Sequence, residues 1–257
     1  MKGFRHSLST SVRVAAFLCA AFAALAPAAS AQDKPAAPDK PASASWGFRD
    51  VYGIPLNILE ETGEIELISL ASRSHDGYGG LLEFEYSLSR RFSIEGEFPW
   101  RFGRPAFPGF DLEATYAVVR DDARRLMVLA GAEFFIPTRS GGELEAEPYL
   151  GFLKCFPSLF LLGKLSLSLE SGKDPEVNVM DELHPALALG PYFPIGDRVV
   201  LGLPLTVGKD VDRTAFKSGL DLNVRVTDEL RIFLIGQAIF SRKTDFAISL
   251  GCYLEID

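Results

Sequence analysis

The chain has 257 residues, a formal net charge of −8, 47% hydrophobic and 23% charged residues, and three cysteines. The acidic balance excludes capture of nucleic acid or anionic lipid by charge alone. Three cysteines are too few for a disulfide-stapled secreted domain.

Lys2, Arg5 and Arg13 precede and open an apolar run over 14–26, and Ala29-Ser30-Ala31 stands directly before Gln32. That is the order of a cleavable secretory signal, with cleavage expected after Ala31. The run is too short to cross a bilayer as a helix. Leu18 does not fit the small residue that a lipoprotein signal wants before its cysteine, here Cys19, so no lipid anchor is expected. Removing three basic residues and no acidic ones takes the charge of the mature chain from −8 to −11. Residues 32–45, QDKPAAPDKPASAS, hold nothing that could build a core; the stretch 32–62 reads as a periplasmic tether or plug segment ahead of a domain over 63–257.

From Gly63 onward the apolar pattern has period two, which means strands, because successive side chains point to opposite faces. Twelve are expected: 63–72, 78–87, 91–100, 109–119, 124–136, 143–154, 157–170, 183–193, 198–207, 214–226, 229–240 and 244–256. Most have about ten residues or more, the length of a tilted membrane-crossing strand. The faces differ sharply. In the third, Phe92, Ile94, Gly96 and Phe98 oppose Ser93, Glu95 and Glu97; in the seventh, Leu159, Leu161, Gly163, Leu165, Leu167 and Leu169 oppose Lys164, Ser166, Ser168 and Glu170. The apolar faces of the third, fourth, seventh and tenth carry no charge, as hydrocarbon would impose, since a basic residue at the lipid midplane costs about 2–4 kcal/mol.

Tight turns at Ser89-Arg90, Asp121-Asp122, Gly196-Asp197 and Thr227-Asp228 alternate with longer connections at 101–108, 137–142, 171–182 and 208–213. Short turns on one side and longer loops on the other is how outer-membrane barrels are built, with the short side in the periplasm. The pattern predicts an all-β fold: a single closed antiparallel up-and-down transmembrane β-barrel of about twelve strands, in the outer membrane of a Gram-negative bacterium. Its expected partners are outer-membrane lipid and lipopolysaccharide, the barrel assembly machinery and a small-molecule solute. Neither nucleic acid nor a cofactor is expected.

Thr62-Gly63-Glu64-Ile65-Glu66-Leu67, the run EYSLSRRFSIEGEFP over 85–99, Ile136-Pro137-Thr138 and Gly190-Pro191-Tyr192-Phe193-Pro194-Ile195-Gly196-Asp197 carry a resemblance to a known family. The chain resembles the outer-membrane β-barrel channel family labelled as transporters of the meta-pathway of phenol degradation. That resemblance implies a channel for small solutes, hydrophobic or aromatic ones among them. The chain departs from the usual barrel ending by closing Leu254-Glu255-Ile256-Asp257 without a final aromatic residue.

Three sets of residues are candidates to line the lumen. The polar face of the first six strands is acidic: Glu64, Glu66, Glu83, Glu85, Glu95, Glu97, Asp111, Glu113, Glu133, Glu143, Glu145 and Glu147. It reads either as a cation-favouring filter or as a structural ladder paired with the basic candidates Lys164, Lys217, Arg225 and Arg231 across a narrow, plugged interior. Strands apolar on both faces put Met127, Leu129, Phe135, Leu187, Leu189, Phe233 and Ile235 at expected inward positions, as a greasy path or as packing against a plug. His75 and His184 lack a surrounding nucleophile motif or ligand spacing, so neither enzyme activity nor a metal site is expected of them. The loop acids Asp174, Glu176, Asp181, Glu182, Asp210 and Asp212 read as bridging lipopolysaccharide through divalent cations or simply as solvated. Three functions stay open: a solute channel, a non-conducting structural barrel, and a soluble periplasmic barrel holding a hydrophobic ligand.

Overall fold

Period-two segments bounded by turn residues become strands, and in the computed structural model they close on themselves. The structure describes residues 62–74, 77–102, 108–138, 144–170, 183–210, 213–227, 229–240 and 244–256. The expected signal peptide and almost all of the tether, together with His75, Glu143 and the acids Asp174, Glu176, Asp181, Glu182 and Asp212, lie outside them. Thirteen strands are described: β1 (Ile65–Ser74), β2 (Gly77–Ser89), β3 (Phe92–Arg101), β4 (Gly109–Asp121), β5 (Leu126–Pro137), β6 (Glu145–Phe156), β7 (Leu159–Glu170), β8 (Leu183–Ile195), β9 (Val199–Gly202), β10 (Leu205–Asp210), β11 (Arg213–Arg225), β12 (Leu230–Phe240) and β13 (Thr244–Ile256). All pairings are antiparallel, and β1 pairs β13 with Ile65 opposite Ile256, so the sheet has no free edge.

The barrel has twelve staves, because β9 and β10 both lie between β8 and β11 and form one interrupted stave. The ninth expected strand, 198–207, is thus real but broken at Leu203-Pro204. Proline has no N–H to give the ladder. The pairing carries on around it, with Leu203 N donating to Pro191 O at 3.0 Å and Gly219 N donating to Pro204 O at 2.8 Å.

Burial fixes which face is which. Leu82, Phe84, Ile94, Leu112, Leu150, Leu165, Leu220 and Leu250 are exposed on the outer wall, while Glu83, Glu85, Glu95, Glu113 and Lys164 are buried within. Among the described outward side chains of the strands, charge occurs only near strand ends, at Arg73, Asp121 and Lys154. Tyr78, Phe98, Phe216, Phe240 and Phe246 stand exposed at the barrel end opposite the turns at Ser89-Arg90 and Gly196-Asp197, where Trp100 packs edge-on against Phe102 at 5.2 Å. The expected longer connection over 208–213 is not seen there, since β10 runs to Asp210 and pairs it with Arg213. A water-exposed wall of leucine would be unfavourable by roughly 25 cal/mol per Å²; against acyl chains that penalty vanishes.

A bulge at Ala117/Val119 turns both Val118 and Val119 outward while keeping Ala117 inside. Leu187 and Leu189 correct the expected apolar path, since both are exposed on the outer wall. The inward positions of β8 are His184, Ala186, Ala188, Gly190 and Tyr192. With both faces of this strand apolar, alternation alone cannot choose the parity, and the small residues go inside, where Ala186 and Ala188 border a cavity.

Candidate functional site

The acidic candidates assemble through register. Glu255, Glu66, Glu85, Glu95, Glu113, Glu133 and Glu147 are successive direct cross-strand partners over seven staves, β13 and β1 to β6. Beside this row Glu83 opposes Glu97, and Glu97 opposes Asp111. Glu64, Glu66, Glu83, Glu85, Glu95, Asp111 and Glu113 are buried, whereas Glu97, Glu133, Glu145 and Glu147 are half-buried. Like charges directly opposite in a sheet are destabilising, so so many carboxylates on one wall require counter-charge or donors.

Some of these come from the basic candidates. Lys164 on β7, buried, reaches Glu147 at 3.5 Å and lies 4.4 Å over the Tyr149 ring. Arg231 on β12 reaches Glu255 at 3.5 Å and stands 4.9 Å over the Tyr253 ring. Arg225 is half-buried directly opposite Arg231. Lys217 is exposed on the wall of an internal cavity of about 290 Å³, with Glu147, Lys164, Ser166, Thr206, Ser218 and Gln237. A smaller cavity of about 100 Å³ opens between Asp111, Glu133, Phe135, Glu145 and Glu147. The interior is therefore polarised across its width, with a carboxylate wall facing a wall of ammonium, hydroxyl and amide groups.

Three inward tyrosines supply further donors. Tyr149 OH donates to Glu113 and meets the Thr115 hydroxyl, Tyr253 OH donates to Glu66, and Tyr192 OH donates to Asp221 at 3.0 Å. Two of these rings lie across a glycine of the next stave. A Cβ built on Gly131 would meet the Tyr149 ring at 2.2 Å, and one on Gly202 would meet the Tyr192 ring at 2.2 Å. Phe233 lies over Gly251 in the same way. Only glycine leaves space for that approach, and it lets the two tyrosines reach the stave beyond.

The apolar candidates divide. Met127 and Leu129 are fully buried in one cluster with Tyr149, Leu153, Phe160, Leu162, Tyr192 and Val200, and Phe233 and Ile235 sit in a second with Ile68 and Tyr253. These side chains pack against one another. Phe135 borders the smaller cavity. Sequence reasoning missed Glu255, the tyrosines and Asp221. Counting back from Ile256 on the outward parity would have found Glu255, and glycines at inward positions were the available signal for the rings. Cys155 is buried and Cys252 is exposed.

No protein-family model and no curated protein matches the chain. Solved structures do. The KdgM porin in complex with disordered oligogalacturonate superimposes with a TM-score of 0.61 at 11% identity, covering 75% of this chain and 99% of that one. An outer-membrane channel from Pseudomonas putida F1 gives 0.58 at 10% identity over 80% and 100% of the two chains. The NanC porin gives 0.56 at 10% identity over 74% and 98%. The fold is that of porin-like outer-membrane channels.

Proposed function

We propose that the protein is an outer-membrane channel for small polar solutes, exported by a cleavable leader over 1–31, with its short turns in the periplasm and its longer connections outside. The observation that carries this reading is the polarised interior: carboxylates on one wall face Lys164 and Lys217 around a cavity of about 290 Å³. Such a transverse arrangement orients dipolar solutes and, with acids in excess, favours cations over anions. The cavity wall of Ser166, Thr206, Ser218 and Gln237 offers exchangeable hydrogen bonds to a solute shedding water. Toward the short turns the packed Met127, Leu129, Phe160 and Tyr192 cluster narrows the route, so the channel is read as small or gated. The hydrophobic or aromatic solutes that the sequence resemblance implies are the second reading.

Planar-bilayer recording of refolded protein tests this. Discrete conductance with cation preference is expected, and changing Glu95, Glu97 and Glu113 together to Gln should lower that preference. Folded protein silent at every voltage would leave a structural barrel, and protein recovered with the soluble periplasm would leave the ligand-holding reading. Liposome uptake of sugar, amino-acid and aromatic probes then separates polar from aromatic solutes.

A further inference from the structure

We infer that the barrel interior holds a calcium ion between Glu83, Glu95 and Glu97. Glu95 and Glu97 stand two residues apart on the inward face of β3, and Glu83 of β2 is the direct partner of Glu97. One carboxylate oxygen from each of the three lies within 4.8 Å of the others. Glu83 and Glu95 are 6% and 4% exposed.

A second observation points to an ion at this place. Oε2 of Glu95 is buried with no hydrogen-bond partner, and so is Oε1 of Glu85, the residue directly opposite Glu95. A buried carboxylate oxygen without a donor is costly. The buried basic groups sit at the two ends of the glutamate row, Lys164 on Glu147 and Arg231 on Glu255. Neither Glu95 nor Glu97 makes an ion pair among the described residues. The middle of the row is thus where negative charge accumulates beyond the reach of those two cations.

The ligand set selects among cations. Three hard carboxylate oxygens on adjacent strands suit an oxygen-seeking divalent ion. Calcium takes oxygens at about 2.3–2.6 Å, so its ligands stand up to about 5 Å apart across the ion. Magnesium, at about 2.0–2.1 Å, would require the carboxylates to draw together and holds its waters more firmly. The remaining coordination positions would be filled by water or by Glu85.

The inference is independent of solute passage and is tested by binding. Calorimetry of the refolded full chain in detergent micelles, titrated with calcium chloride and separately with magnesium chloride, should show one calcium per chain. Saturation is expected below about 1 mM, the range of the weaker natural calcium sites, with magnesium at least tenfold weaker. Calcium should also raise the temperature at which the barrel loses its folded gel mobility. The double change Glu95→Gln with Glu97→Gln should weaken calcium binding at least tenfold; if it does not fold, Glu97→Gln alone, at a half-buried position, should weaken it measurably. Glu145→Gln should leave binding within about twofold. No calcium binding by folded wild-type protein overturns the inference. Equal losses in the Glu145→Gln and Glu97→Gln proteins would also overturn it, by assigning the ion to the acidic wall at large.

Discussion

Between β4 and β11 the two ends of the barrel interior fill the same cylinder in opposite ways. Toward the short turns, Met127, Leu129, Leu153, Phe160, Leu162 and Val200 pack into one cluster over neighbouring staves at 1% exposure or less. Toward the longer connections, the same strands present Glu133, Glu147, Ser166, Ala186, Ala188, Thr206 and Lys217 around open cavities. Backbone geometry is common to both ends, so the difference lies in side-chain volume and charge. Large apolar groups close a twelve-stave cylinder, whereas small or charged ones hold it open and wet.

That contrast can be attacked from the packed end first. Leu129→Ala removes a fully buried side chain and should lower stability by about 2–5 kcal/mol, read from the urea midpoint of unfolding out of lipid vesicles. Single-channel conductance should rise at the same time if this layer narrows the route; unchanged conductance would move the constriction elsewhere. Gly202→Val places a side chain where the Tyr192 ring lies, and overpacking of this kind costs about 1–3 kcal/mol.

Much of this arrangement is legible in the amino-acid pattern, for reasons that also explain the failures. Glu95, Glu97, Glu113 and Lys164 alternate with bulky apolar residues, so their parity follows from period two, and the register of short turns then brings the glutamates level. Leu187 and Leu189 were misassigned because Ala186 and Ala188 are apolar too, leaving nothing in β8 to mark a face. The tyrosine contacts depend on which glycine stands opposite which ring, and the pairing of Tyr192 with Gly202 follows only from the register across the β8–β9 turn. The ninth expected strand, 198–207, runs straight through Pro204, whose missing N–H interrupts the stave before pairing resumes at Leu205.

Subtler changes sharpen the contrast. Tyr192→Phe removes the donor to Asp221 and leaves a buried carboxylate less satisfied, at about 1–3 kcal/mol, with little change expected in conductance because the ring still fills its place. Lys217→Ala, on the open cavity wall, should alter stability by no more than about 0.5 kcal/mol. It should nevertheless move the reversal potential under a salt gradient toward stronger cation preference. A large loss of stability in that protein would mean that the wet end is as tightly built as the dry one.

The rings laid over glycines have a mechanical consequence. Tyr149 on β6 crosses β5 to grip β4, Tyr192 on β8 crosses β9 to grip β11, and Phe233 on β12 crosses β13 to meet Ile68 of β1. Each is a hoop running around the circumference, the direction in which the backbone ladder also carries the load. Lateral squeezing by the bilayer that would flatten the cylinder into an oval must shear these hoops as well as bend the sheet, so its cross-section should hold its roundness as lipid tension changes.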